Sequence, residues 1–447
     1  MARENYQASW NGEDVAVSVR ADDESGQQIP EAGHRDPAGK STRGLRSPRV
    51  AMVIQRLRPY FSGQGVQVEE LCRELARRDS EVVIVTSVRG RHPPIEEVNG
   101  YRVRRIRSDI PGVRATATRT RFWAPIFALR NFVYLWRQRR LIDVVHVHTF
   151  HDALYTSWAF CRLTRRPILF EMTLLGTDDP IAVRQSRNFL HRLRYAIFRR
   201  CDGYVAISAA LAESYRQEGM PLDRLRIISQ GVDTKRFCPG VEGGARRDEL
   251  GLPSDAPVLV FVGSLIERKG IDVLLAAWRQ IHRSCPEAHL LLVGKSDFPD
   301  DAGTSQFLAE QLAALEPGAA ENLHQIGVVE DVETYLQAAD IFLFPSRREG
   351  FGTVMVEAMA CGLPCVVAEM PGITDSIFAE EEGDGIVISQ EDPGALAAAT
   401  EQLLAGPERA REIGRAGRQR ALQVFSIETI ADSYVEFYSD VLKTRRA

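Results

Sequence analysis

The sequence predicts an α/β protein built from two Rossmann-like, doubly wound halves that face each other across a cleft. Three observations carry this. Short apolar runs alternate with segments of helical periodicity, the pattern of parallel strands joined by crossover helices. The alternation pauses once, over Gln230–Gly240, and then restarts. The chain has 447 residues, too many for one ordinary core and suited to two.

Residues 1–48 are rich in Gly, Ser, Asp, Glu, Gln and Arg and poor in large apolar residues, which reads as a disordered tail. The first half spans 49–235. Val50–Ile54 is its first strand, followed by a loop with Gly63 and Gly65 and a helix from Val66 to Arg77, with Val68, Leu71, Cys72 and Leu75 at helical spacing. Val82–Val85, Asp143–His148, Pro167–Phe170, Gly203–Ile207 and Leu225–Ile228 are further strands. Ser208 stands at the cap position of a helix over Ala209–Gln217. The second half spans 236–425, with strands at Val258–Gly263, His289–Gly294, Leu323–Gly327, Ile341–Phe344 and Cys365–Val367, and a helix at Ile271–Ile281. A last helix within 426–447 carries Ile430, Tyr434, Phe437, Tyr438 and Val441 as an apolar stripe, expected to pack back toward the first half.

With 44% hydrophobic and 26% charged residues the composition is that of an ordinary globular protein. The net charge of -4 conceals an asymmetry. Residues 101–200 hold 20 Arg and no Lys against 6 acids, whereas 301–400 hold 2 basic residues against 18 acids. Seven cysteines without a CxxC pair read as reduced thiols in a cytoplasmic protein. No run of eighteen apolar residues is present, so no span is expected, and the polar, acidic start does not resemble a signal peptide.

The most informative segment is Glu349-Gly350-Phe351-Gly352-Thr353-Val354-Met355-Val356-Glu357. It follows an apolar strand and opens a helix that stops near Gly362. Ligands of open α/β sheets bind at such strand ends, and a helix amino end offers free N–H groups to phosphate. Glu349 and Glu357 are placed to meet different parts of one ligand; the bland reading is a glycine-rich turn with two solvated acids. Gly263-Ser264-Leu265-Ile266-Glu267-Arg268-Lys269-Gly270 is a second such corner, where Arg268 and Lys269 suit a diphosphate or form a solvated basic turn. The Gly63/Gly65 segment carries Val68 where a dinucleotide fingerprint requires Gly or Ala, which argues against nicotinamide. His146 and His148 fall on one strand face, with His151 nearby; no further ligand group accompanies them in sequence, and His148 reads as an active-site or a structural residue. From Arg119 to Arg140 aromatics (Phe122, Trp123, Phe127, Phe132, Tyr134, Trp136) lie among arginines, as on a membrane-surface helix or, equally, a core helix with solvated arginines. No nucleic-acid-binding motif accompanies them.

Taken in order, these segments resemble glycosyltransferase family 4, whose fold is GT-B: the Gly63/Gly65 loop, Asp143–His148, Val205–Ser208, Gly231-Val232-Asp233 to Phe237, Gly263–Gly270, and Pro345–Gly362. The resemblance implies a retaining transferase that uses a nucleotide-diphospho-sugar as co-substrate, with no cofactor and no catalytic metal. It places the acceptor in the first half and the donor in the second. It implies that Lys269 binds the diphosphate, Glu357 the ribose and Glu349 the donor sugar. It implies too that the backbone of Gly350, Phe351, Gly352 and Thr353 contacts sugar and phosphate. With His148 as a further catalytic candidate, the donor set is Gly63, Gly65, Gly263, Arg268, Lys269, Gly350–Val354 and Glu357. Glu349 and Lys269 are expected to be exposed in the cleft. Two departures stand out: Ser264 where many members have Arg, and Pro371-Gly372-Ile373-Thr374-Asp375 in place of Gly-Gly-x-x-Glu. The expected acceptor is a lipid-linked or surface glycan, with the basic half against the inner face of a membrane. The alternatives are a soluble sugar phosphate, or a protein that binds the nucleotide sugar without catalysis.

Overall fold

The apolar runs form the strands of two sheets. The computed structural model describes residues 48–58, 62–88, 92–108, 123–177, 179–185, 189–240, 243–297, 302–379 and 383–445, which belong to one compact unit. The sequence tail, Arg119 and Phe122 lie outside the described residues.

The first sheet contains β1 (Val50–Ile54), β2 (Val82–Val88), β3 (Ile95–Val98), β4 (Tyr101–Arg107), β5 (Val144–His148), β6 (Ile168–Met172), β7 (Gly203–Ala206) and β8 (Leu225–Ile227), in the order β3-β4-β2-β1-β5-β6-β7-β8. The second contains β9 (Val258–Val262), β10 (His289–Val293), β11 (Leu323–Gly327), β12 (Ile341–Phe344), β13 (Cys365–Ala368) and β14 (Ile386–Ile388), in the order β11-β10-β9-β12-β13-β14. Among the described residues only the β3–β4 pair is antiparallel. β1, β5, β6, β7, β12 and β13 are buried at every position, which explains their unbroken apolar runs. Strand order reverses between β1 and β5 and between β9 and β12, and such switch points open a crevice at the carboxyl ends of the strands.

The chain crosses between the halves twice, and the two crossings lie side by side. Val232 bridges Ser426, with Val232 N donating to Phe425 O and Ile427 N to Val232 O, both at 2.9 Å. The C-terminal helix Ile427–Thr444 starts there, with Ser426 Oγ accepting from Thr429 N. Its stripe of Ile430, Tyr434, Phe437, Tyr438 and Val441 is buried. Phe437 and Val441 pack on Gly203 of β7, and Asp432 pairs with Arg78 at 2.8 Å, so the helix rests on the first half.

Several elements differ from the sequence reading. β3 and β4 form a hairpin closed by Asn99 and Gly100, both at positive φ. The first helix begins at Gly63 rather than Val66, because Ser62 Oγ caps Gly65 N at 3.0 Å. Ser208 precedes the helix Ala209–Gln217, yet its hydroxyl makes no cap bond. No helix among the described residues is long and apolar enough to cross a membrane.

Candidate functional site

A cleft of about 1050 Å³ opens where the strand ends of the two sheets meet. The first half contributes residues after β1 (Arg56, Arg58, Gly63), β5 (Thr149, Phe150), β6 (Thr173) and β7 (Ile207). The second contributes Gly263, Arg268 and Lys269 after β9, and Glu349–Val354 with Glu357 after β12.

The two corners of the second half lock together. Lys269 Nζ sits 2.5 Å from Glu349 Oε1, which also accepts from Ser346 Oγ at 2.7 Å. Arg268 lies 3.6 Å from the same carboxylate and donates to Arg348 O. Lys269 Nζ stands 5.1 Å from the centre of the Phe344 ring. Glu349 is 7% exposed and the Lys269 side chain 14%, so neither is the open cleft residue expected from sequence. The cause is their mutual pairing: each charge allows the other to leave water.

Gly352 starts the helix Thr353–Ala360 with φ 84°, a left-handed conformation that glycine adopts without strain. Gly352, Thr353 and Val354 line the cleft at this helix start, an anion site in outline. Gly350 is a glycine for another reason. A Cβ there would stand 1.7 Å from Thr173 O, so its backbone touches the opposite wall. Thr353 Oγ1 bonds Gln230 of the linker, and Ala210 N donates to Gly372 O at 3.0 Å, so hydrogen bonds tie the halves together beside the cleft.

Glu357 lies one turn deeper and keeps part of its surface toward the cleft. Burial raises its carboxyl to about 7; Arg236 opposes this, and Glu70 and Glu333 reinforce it. Arg236 is held by Glu333 at 2.7 Å and lies 3.9 Å from Glu70. Arg236, Glu70, Thr173 and Gln230 all line the cleft, and sequence reasoning passed over them. Arg236 falls in the linker, where no periodicity singles out one side chain.

Other sequence candidates lie elsewhere. His148 does not line the cleft. It is fully buried behind the wall, with Nε2 3.3 Å from Met52 Sδ and Nδ1 3.2 Å from Glu171 Oε1. It faces β6 and the C-terminal helix and is not among the residues lining the cleft. Gly65 is inside the helix, packed against Ser62 Oγ and Arg56 O, while Gly63 lines the cleft. His151 accepts from Ala153 N at 3.2 Å and stands apart from the His146–His148 pair. Asp375 is exposed outside the cleft lining. On the helix Trp123–Arg137, Phe127 is core, Phe132 and Tyr134 are half-buried, and Trp136 is exposed.

Residues 61–236 match the family described as Glycosyltransferase Family 4, and residues 244–420 the one described as Glycosyl transferases group 1. The chain belongs to the GT-B glycosyltransferases. It is 28% identical over 442 residues to a D-inositol 3-phosphate glycosyltransferase of Xylanimonas cellulosilytica, covering 90% of this chain and 99% of that protein. Sucrose-phosphate synthase from Thermosynechococcus elongatus shares its fold, with a TM-score of 0.73 at 24% identity over 89% of this chain and 100% of that one. So does HepE of Anabaena, solved with UDP-glucose, with a TM-score of 0.69 at 18% identity over 88% and 99%. In this glycosyltransferase the boundary between the two family matches falls where the linker does, just after Arg236.

Proposed function

We propose that this glycosyltransferase moves a sugar from a nucleotide-diphospho-sugar to a small phosphorylated acceptor, with retention of configuration. The observation that carries this is cations on both walls of one cleft. Arg268 and Lys269 stand beside the free N–H groups of the helix Thr353–Ala360, and Arg56 and Arg58 stand on the first-half wall. The first group suits the donor diphosphate and the second an acceptor phosphate. Relatives named D-inositol 3-phosphate glycosyltransferase support the same acceptor class.

In this reading the diphosphate displaces Glu349 from Lys269 and takes up its charge. The freed carboxylate turns to the hydroxyls of the donor sugar, and Glu357 accepts from the ribose. As the glycosidic bond to the diphosphate breaks, negative charge grows on the leaving oxygens. Lys269, Arg268 and the Gly350–Thr353 backbone meet that charge, the kind of preorganised donors that lower such barriers most. The acceptor hydroxyl attacks from the leaving-group face and gives its proton to the departing phosphate, so no protein nucleophile is required. The cations fill the role of a divalent ion at the diphosphate, and added magnesium is expected to leave turnover unchanged.

A second reading keeps the acceptor on a lipid, in polysaccharide assembly at the inner face of a membrane. Leu129, Val133 and Trp136 follow one exposed helix stripe beside Arg130, Arg137, Arg139 and Arg140, a face suited to anionic lipid. A screen of nucleotide sugars against sugar phosphates, inositol phosphate and lipid extract, read as released nucleotide, separates the two. Release that requires lipid, and never a soluble phosphate, overturns the first reading.

A further inference from the structure

Behind the cleft wall lies a buried cluster that the transfer reaction does not use. We propose that His146, His148 and Glu171 form a binding site for a divalent transition metal, zinc by its donor set, at the seam between the first sheet and the C-terminal helix. The two histidines alternate along β5 and project to the same face, their ring centres 4.2 Å apart. Glu171 is the register partner of His148 on the neighbouring strand β6. All three side chains are buried, and their donor atoms lie within 4.8 Å of one another.

The donor atoms stand near the spacing an ion requires, each imidazole facing a different oxygen of the one carboxylate. His148 Nδ1 faces Glu171 Oε1 at 3.2 Å, and His146 Nε2 faces Oε2 at 3.6 Å. A tetrahedral ion with bonds of about 2.0–2.2 Å sets its ligand atoms about 3.3–3.6 Å apart. His146 Nε2 is buried beyond hydrogen-bond distance of any partner, and the contact of His148 Nδ1 with Glu171 is the other ring's sole polar neighbour on that side among the described residues. Buried polar atoms without partners are rare and point to an unaccounted ligand.

The surroundings fit as well. Tyr438 hydroxyl bonds His146 Nδ1 at 2.9 Å, leaving Nε2 for the metal, and Tyr434 hydroxyl donates to Glu171 Oε2 at 2.8 Å. Metal-bound histidines and carboxylates are usually held by such outer partners. A side cavity of about 20 Å³ touches His148 and Glu171, enough for the one water that completes a four-coordinate site. Gln67, Gln230 and Gly231 line both this cavity and the cleft, so the cluster lies directly behind the cleft wall. Two imidazoles, one carboxylate and one water form a zinc-type set. Because both tyrosines belong to the C-terminal helix, the ion would pin that helix to β5 and β6. The site is separate from the diphosphate-binding residues and supplies nothing to the transfer step.

The test is metal binding by the full chain. Protein stripped with chelator is titrated with Co²⁺ and then Zn²⁺, following cobalt absorption and melting temperature. Wild type is expected to bind one equivalent of cobalt with the strong bands of a tetrahedral ion, and zinc is expected to raise its melting temperature. Glu171→Gln and His148→Gln should weaken binding on the order of 100-fold, and Tyr438→Phe roughly tenfold. His151→Gln, outside the cluster, should bind as wild type does. Absence of tetrahedral cobalt bands in wild type overturns the proposal even if a variant fails to fold. So does binding by Glu171→Gln as tight as the parent's, and the cluster is then a network of hydrogen bonds only.

Discussion

Replacing Glu357 with glutamine separates two effects of one carboxylate. Burial raises the folded-state value to about 7, against 4.5 for an ordinary glutamate. Between those two pH values the folded chain holds a proton that the unfolded chain has lost. Stability therefore falls as pH rises through the window, and the whole penalty stands above about pH 7. Keeping the carboxylate charged in this half-buried site costs on the order of 2 kcal/mol once its partial opening to the cleft is allowed for. Glutamine is neutral and carries no such penalty. At pH 8 the variant should melt roughly 4–8 °C above wild type, and at pH 5 the two should nearly coincide. Donor binding should move the other way. A neutral amide accepts a hydrogen bond about 1 kcal/mol less well than a carboxylate, so donor KM should rise about five- to tenfold. Melting curves from pH 5 to 8 and donor KM at pH 8 measure both. A melting gap independent of pH, or a wild type more stable at pH 8, refutes the account of this wall.

The remaining predictions concern the rest of the cleft and the basic face. Glu349→Gln and Lys269→Ala should each lower turnover on the order of 100-fold or more, measured as nucleotide release with saturating donor. Each should also cost about 1–3 kcal/mol by denaturant titration, since the surviving partner keeps a charge largely shielded from water. Gly350→Ala places a methyl against Thr173 O and should force the halves apart; solution scattering should show a larger radius and KM should rise, and an unchanged radius contradicts the closed contact. Wild type should sediment with anionic but not neutral vesicles at low salt and be released near 1 M salt, where the Debye length falls to about 3 Å. Equal behaviour toward both vesicle types leaves the arginines as a solvated surface.

Much of the fold was legible because fully buried parallel strands leave continuous apolar runs. Val50–Ile54 and Ile341–Phe344 appear in the structure at the residues read from sequence. Edge strands were less legible. Ile95–Val98 is mostly exposed and carries Glu96 and Glu97, so it lacks an apolar run. Its one signal was Asn99-Gly100, the pair that a two-residue hairpin turn favours. In the site, the two glycine-rich corners stood out because their backbone conformations demand glycine. The pairing of Lys269 with Glu349 did not, since 80 residues separate them. Glu171 was hidden in the same way. It sits in an apolar strand, and only the register of β5 against β6 sets it opposite His148.

The most direct test of the central claim is donor-dependent modification of a phosphorylated acceptor, with product identified by mass and anomeric configuration by NMR. The expected product bears one added sugar with the donor's configuration. It should form with a soluble sugar phosphate or inositol phosphate, without lipid, and be lost in Glu349→Gln. A product of inverted configuration, or one formed only on a lipid-linked acceptor, would contradict it.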